Sequence, residues 1–149
     1  MDEGRFWSLI DLIGGYPPED EVESFKRVEH ALALLEDYEI LGFEDLLAEM
    51  LYKIDRREFA ELLTEDTGRE QSTDSFLYNR CAVVVAGRVA YEEVSDRSRP
   101  FSSFTSSHVA SSEPLLYLAE GAYGRKGDRK WDHVSPLNYE TGSNSAAWE

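Results

Sequence analysis

The chain has 149 residues, of which 42% are hydrophobic, and it carries a net charge of −15. This length and composition are typical of one globular domain with a hydrophobic core, and they argue against a wholly disordered chain. No apolar run approaches the ~20 residues that a membrane-spanning helix requires, and the N-terminus lacks the features of a secretory signal. We therefore expect a cytoplasmic protein that does not bind membranes.

The acidic residues are concentrated in the first half of the chain. Residues 1–75 contain 21 Asp and Glu against 7 Lys and Arg, whereas residues 76–149 contain 9 against 8. This balance disfavours nucleic-acid binding, which needs a basic surface. Solubility is the simpler explanation of the charge, and attraction of a basic protein partner is the alternative.

Two helices are predicted in the first 40 residues. Asp2 can cap the first, which runs from Glu3 to about Ile13 and ends at a Gly-Gly-Tyr-Pro-Pro stretch. The second opens at Pro18 and continues to about Tyr38. Four acidic side chains occupy its start: Glu19, Asp20, Glu21 and Glu23. These carboxylates either satisfy the positive end of the helix dipole or form the surface that meets a basic partner.

A third helical pattern follows a predicted break or kink at Gly42. It runs from Phe43 to Tyr52, with apolar side chains at the spacing of one helix face. A short helix from Glu58 to Leu63 and an exposed polar loop over residues 64–73 come next.

The most apolar segment predicts a central helix from Asp74 to about Val94. Residues 82–86 are apolar on nearly every side, which is typical of a helix buried in the middle of a bundle. Cys81, the only cysteine, is expected to be a buried and unreactive thiol. Gly87 lowers helix stability, and we expect it to let a neighbouring helix pack closely.

Steps of four residues place two arginines, Arg80 and Arg88, on one side of this central helix. A buried arginine needs an anionic or carbonyl partner, because an unpaired buried charge is costly. One interpretation is therefore structural, in which Arg88 pairs with Glu92 one turn later. Arg80 would then pair with one of three carboxylates: Asp74, Glu36 or Glu49.

The other interpretation is a pocket for a small anionic ligand. Aromatic side chains beside cations suit such a ligand, although a core packed with aromatics explains them as well. The candidate ligand-binding residues are Tyr78, Arg80, Arg88, Tyr91 and Trp131.

The last third of the chain is predicted to be less regular. Residues 95–112 form a serine-rich loop with a short turn anchored by Phe101 and Phe104. A proline then opens a helix over Leu115–Tyr123. Residues 131–149 lack periodicity and predict an irregular tail that packs on the bundle.

No motif predicts catalysis, a metal site or a cofactor. The three histidines, His30, His108 and His133, are scattered without a metal-ligand spacing. The chain has no G-x-S-x-G nucleophile elbow and no Gly-rich phosphate loop. We therefore expect no metal, no cofactor and a protein that is not an enzyme.

The central segment carries a spaced motif, D-x-F-x-Y-x-R followed after six residues by G-R-x-x-Y-E. Its residues are Asp74, Phe76, Tyr78, Arg80, Gly87, Arg88, Tyr91 and Glu92. Three further stretches accompany it: Phe6–Asp11, Leu115–Tyr123 and Tyr139–Asn144. In this order they resemble domain-of-unknown-function family 4240, a bacterial family frequent in actinomycetes. The resemblance implies a small intracellular helical domain and no activity or catalytic residue.

Together these observations predict an all-α fold over residues 1–149. We expect a single-domain, irregular bundle of five to seven helices with a non-helical C-terminal tail. The favoured function is an interaction protein whose acidic first half binds a basic partner, in the manner of an immunity protein or antitoxin. The alternative is an anion-binding protein or enzyme with its pocket around Arg80 and Arg88.

Overall fold

The computed structural model describes all residues, 1–149, and contains seven α-helices joined by turns, 3₁₀-helices and loops. The α-helices are α1 (Glu3–Asp11), α2 (Glu21–Ala33), α3 (Asp37–Lys53), α4 (Arg57–Ala60), α5 (Thr73–Val85), α6 (Arg88–Ser95) and α7 (Leu118–Gly124). β structure is confined to one isolated antiparallel bridge between Leu63 and Glu70. The all-α prediction is confirmed. No helix combines the length and apolar character that crossing a membrane requires.

Side-chain caps define where the first two helices begin. The Asp2 carboxylate accepts the Arg5 backbone N–H at 2.8 Å at the start of α1, as its position in the sequence predicts. At the start of α2, the Asp20 carboxylate accepts the backbone N–H of Glu23 at 3.2 Å. The second helix therefore begins after this cap and not at Pro18.

The core is one cluster of 32 buried hydrophobic residues, with α5 at its centre. Of the residues that are apolar on nearly every side, 82–85 are buried within α5 and Ala86, just after it, is half-buried. The serine-rich loop contributes two aromatic anchors through a 3₁₀-helix, Phe101–Phe104, whose two phenylalanines are buried. Phe101 stacks on Phe59 with ring centroids 5.0 Å apart.

The predicted break at Gly42 is wrong, and so is the predicted end of the second helix near Tyr38. The chain turns earlier, over residues 34–36, and α3 then runs through Gly42 without interruption. A Cβ at Gly42 would lie 3.0 Å from the backbone nitrogen of Met1. This glycine therefore makes room for the N-terminus instead of ending a helix.

The predicted central helix is divided in two at Gly87. Its φ of +102° lies in a region that residues with a Cβ avoid, so that α5 ends and α6 begins on either side of this turn. Gly87 therefore serves to turn the chain, and not, as the sequence predicts, to let a neighbouring helix pack closely. Arg80 and Arg88 consequently lie on different helices, not on one side of one helix.

The C-terminal third combines short helices with an extended tail. A 3₁₀-helix, Glu113–Tyr117, leads into α7, where the sequence predicts one helix, and a final 3₁₀ turn spans Ser145–Ala147. Between them, residues 131–140 alternate strictly between half-buried and exposed side chains. The irregular tail is confirmed, but this segment has the period of two of an extended chain, which the sequence interpretation missed.

Candidate functional site

Arg80 is fully buried within α5 and is bonded inside the chain. Its Nη1 donates to the Leu51 carbonyl at 3.0 Å, and its Nη2 donates to Thr141 Oγ1 at 3.3 Å. The guanidinium lies over the Phe76 ring, 4.6 Å from the centroid. Burial lowers the pKa of Arg80, and the negative charge of nearby Asp55 opposes that shift.

The partners of Arg80 therefore differ from the three carboxylates considered from the sequence. Asp74, Glu36 and Glu49 make no hydrogen bond or ion pair with it. The structural interpretation of this arginine survives in a different form, with a carbonyl, a hydroxyl and a more distant carboxylate as its surroundings.

Asp55 holds the C-terminal tail next to Arg80. This carboxylate is fully buried. It accepts the backbone N–H of Gly142 at 3.1 Å, the backbone N–H of Asn144 at 3.0 Å and the indole N–H of Trp148 at 3.0 Å. Arg80, through Thr141, and Asp55 thus fasten the tail onto α3 and α5.

Arg88 and Tyr91 are also engaged within the chain. Arg88 is exposed, and its Nε donates to Glu92 Oε1 at 2.9 Å, which is the i,i+4 pair that the sequence predicts. Tyr91 is buried and donates its hydroxyl to the Met50 carbonyl at 2.6 Å, while its ring packs on Trp7. Neither side chain borders an open pocket with Arg80.

The two remaining candidates of the anion pocket lie in separate clefts. Tyr78 borders a small cleft of about 140 Å³ beside the serine-rich loop, where its hydroxyl donates to Glu113 at 3.2 Å. Trp131 lies on another cleft, formed with Glu44 and Tyr139. The structure therefore does not bring the five predicted ligand-binding residues together.

The four acidic residues predicted to meet a partner do lie together at the start of α2. Glu19, Asp20 and Glu23 are exposed, and Glu21 is half-buried. Asp20 caps the helix, and Glu21 and Glu23 lie in its first turn, so the dipole interpretation accounts for three of the four.

A groove of about 570 Å³ adjoins this acidic cluster, between α2 and the segment that leads into α7. Phe25 and Leu118 contribute buried apolar surface to it. On its two sides, Val22 is 62% exposed and Tyr117 is 53% exposed. Glu21 borders the groove as well, so acidic and apolar surfaces meet there. It is termed the α2–α7 groove.

A further carboxylate, that of Glu29, lines this groove, and that of Glu113 is bonded to its lining residue Tyr117. Glu29 pairs with Arg125 Nε at 3.2 Å. A Cβ at Gly121 would overlap the Glu29 carboxylate, so the absence of a side chain at this glycine leaves the space that Glu29 occupies. Glu113 accepts the Tyr117 hydroxyl at 2.8 Å, and this hydrogen bond raises the pKa of Tyr117. The groove thus combines an apolar floor with an acidic border.

The cleft that Trp131 borders, which the sequence interpretation missed, has a volume of about 330 Å³ and lies between α3 and the extended tail. It is termed the Glu44 cleft. Burial raises the pKa of Glu44 to about 7, because it disfavours the charged form. The spacing of Trp131, His133 and Tyr139 by even numbers of residues was the available signal, since it places these side chains on one face of an extended chain, although exposed Val134 weakens the pattern.

No group of three or more His, Cys, Asp or Glu side chains is arranged to hold a metal ion. Cys81 is fully buried, and burial raises the pKa of its thiol to about 12.

The family model described as "Protein of unknown function (DUF4240)" matches residues 1–125. The chain belongs to this family. No curated protein and no solved structure matches it. In this DUF4240 member, Gly87 of the motif forms a turn, Arg88 pairs with Glu92, and buried Tyr91 donates its hydroxyl to a backbone carbonyl. The stretch Tyr139–Asn144, part of the tail held by Asp55, lies beyond the matched residues.

Proposed function

We propose that this DUF4240 member is an interaction protein that binds a basic protein partner in its α2–α7 groove. The observation that carries the proposal is the position of the acidic cluster at Glu19–Glu23, directly beside a groove with exposed apolar side chains. The proposed complex forms in the cytoplasm, and an immunity-type or antitoxin-type role fits a small acidic protein of this kind.

Exposed Val22 and Tyr117 support the apolar part of this proposal. Contiguous apolar surface rimmed by polar groups is typical of protein-binding sites, and tyrosine is enriched among the residues that dominate binding energy. The expected occupant is a helix or loop of the partner that inserts an apolar side chain between them.

The charges that line the groove indicate which polar side chains the occupant carries. Glu21 and Glu29 border the groove, and Lys26 is its single basic lining residue. Lys and Arg side chains flanking the apolar anchor would complement this border. The net charge of −15 would also accelerate the encounter by long-range attraction.

The alternative, an anion site around Arg80 and Arg88, has less support. Arg80 is buried against the Leu51 carbonyl and Thr141, and Arg88 is paired with Glu92. The two guanidinium groups border no common cleft.

The test begins with affinity purification of the tagged protein from its own host. Each captured protein is then produced separately, and its direct association is measured with the parent chain and with four variants, two for each arm of the test. Val22→Ser removes an exposed apolar side chain from the groove, and its matched control, Val89→Ser, alters a valine that is 70% exposed on α6. We expect Val22→Ser to weaken binding at least about fivefold, because it removes apolar contact area, and Val89→Ser to have no effect.

The charge arm changes Glu19, Asp20, Glu21 and Glu23 to their amides. Its control changes four exposed acidic residues elsewhere to amides: Glu65, Glu70, Asp128 and Asp132. Both variants have the same net charge, so only a local effect separates them. We expect the first to slow association about tenfold at low salt and the second to slow it much less. Equal effects of the two sets, or a partner without excess basic charge, would contradict the proposal.

A further inference from the structure

The Glu44 cleft is built from side chains that none of the interactions described above requires. Trp131, His133, Ser135 and Tyr139 reach it from the extended tail, and Glu44 reaches it from α3. Its volume of about 330 Å³ suits a small molecule. It shares no lining residue with the α2–α7 groove.

Two buried polar atoms of this cleft have no hydrogen-bond partner in the chain, Glu44 Oε2 and Ser135 Oγ. A buried polar atom without a partner is costly, so a ligand that supplies N–H donors would be favoured at both. Burial raises the pKa of Glu44 to about 7, in keeping with a carboxylate that has one oxygen without a partner in the chain.

The charge of the cleft is predominantly negative. His133 is its only basic lining residue, and its Nε2 lies 2.7 Å from Asp45 Oδ1, so that this carboxylate offsets any positive charge of the imidazole. Glu44 and Glu140 remain as further carboxylates. Beyond burial, His133 lowers the pKa of Glu44, and the negative charges of Asp45 and Glu120 raise it. An anionic ligand would therefore be repelled, and a cationic ligand attracted.

The walls of the cleft are aromatic. Trp131 and Tyr139 both line it, and Trp131 is held edge-on by His133 and Tyr123 with ring centroids 5.8 and 5.5 Å away. Aromatic faces stabilise organic cations through the ring quadrupole. A metal ion fits less well, because no three suitable ligands converge there.

We propose that the Glu44 cleft binds a small organic cation with a primary ammonium group. The ammonium donates hydrogen bonds to Glu44 Oε2 and Ser135 Oγ, and its alkyl part contacts Trp131 and Tyr139. Binding favours the ionised form of Glu44, because the cation supplies the charge that the carboxylate lacks.

The experiment titrates n-butylammonium chloride into the full chain at pH 8 and follows NMR chemical shifts and tryptophan fluorescence. n-Butanol, of similar size but uncharged, is the ligand control. We expect saturable binding with a dissociation constant on the order of 1–10 mM, as the small size of the probe implies. The shifts should be concentrated at residues 131–140 and around Glu44, and the pKa of Glu44 should fall when the probe is bound.

Two variants separate a site from a general charge effect. Glu44→Gln keeps the size of the side chain but removes its charge, and should weaken binding at least about tenfold. Glu49→Gln, on the same helix, removes a carboxylate that pairs with Lys53 and should bind like the parent protein. The inference is overturned by non-saturable shifts, by equal binding of n-butanol, or by unchanged affinity in a Glu44→Gln variant that is folded by circular dichroism.

Discussion

Arg80 and Arg88 belong to the same short motif, yet their environments are opposite. Arg80 is fully buried, with Nη1 bonded to a carbonyl and Nη2 to a hydroxyl, whereas the Arg88 side chain is 50% exposed beside Glu92. A desolvated guanidinium depends on every partner that it has, and an exposed one is stabilised mainly by water. The two residues therefore contribute very differently to stability.

Replacing Arg80 with methionine tests this difference. Arg80→Met should lower the free energy of unfolding by about 3–5 kcal/mol, because it removes the donor from the Leu51 carbonyl and the Thr141 hydroxyl and a charge that opposes that of buried Asp55. Arg88→Met, the matched control, should change it by less than about 1 kcal/mol, since exposed ion pairs contribute little. Urea unfolding of both variants measures the comparison, and equal stabilities would refute the anchoring role of Arg80.

At the scale of elements, two glycines have opposite functions. Gly42 lies inside α3 and gives Met1 room to approach. Gly87 lies between α5 and α6 and turns the chain with a φ of +102°. The residue type alone does not separate these two uses, because both depend on what surrounds the backbone. This is the physical reason why the sequence predicts one break that does not exist and misses another.

The turn at Gly87 can be tested with an alanine substitution. Gly87→Ala should destabilise the protein by about 1–3 kcal/mol, because alanine is strained in this backbone region. Gly124→Ala, at the end of α7 with open space around its Cβ position, should be neutral or stabilising by up to about 1 kcal/mol. Thermal or urea unfolding gives both values. A Gly87→Ala variant as stable as the Gly124→Ala variant would contradict the strain argument.

At the scale of the whole molecule, the residues that follow α7 are tied to the first half of the chain by polar contacts. Lys126 and Arg129, between α7 and the tail, both pair with Asp37, at 3.2 and 2.7 Å. In the tail itself, Gly142, Asn144 and Trp148 donate N–H groups to buried Asp55. The tail therefore completes the bonding of the bundle, although it lies beyond the family match.

Amide hydrogen exchange tests how firmly the tail is held. The N–H groups of Gly142 and Asn144, both bonded to Asp55, should exchange at least about 100-fold more slowly than those of Asp132 and Val134, after correction for intrinsic rates. The latter two have no hydrogen-bond partner in the chain. Asp55→Asn should accelerate exchange at Gly142 and Asn144. Similar rates at all four amides would show that the tail is not fastened.

Much of the architecture follows from local patterns. Apolar spacing predicts most of the helices, the cap at Asp2 is confirmed, and buried Phe101 and Phe104 anchor the serine-rich loop as their aromatic character suggests. The i,i+4 pair of Arg88 and Glu92 is equally local. Such features depend on residues within one or two turns, and the sequence displays them directly.

The sequence by itself therefore determined the all-α class, the family and the acidic cluster at the start of α2. Only the tertiary structure decided that Arg80 contacts Thr141, that Asp55 receives Trp148, and that the anion-pocket candidates lie apart. These contacts join residues separated by 61 and 93 positions, and local spacing carries no information about them. A polar side chain finds its partner through the packing of whole helices, so its role emerges when the bundle has formed.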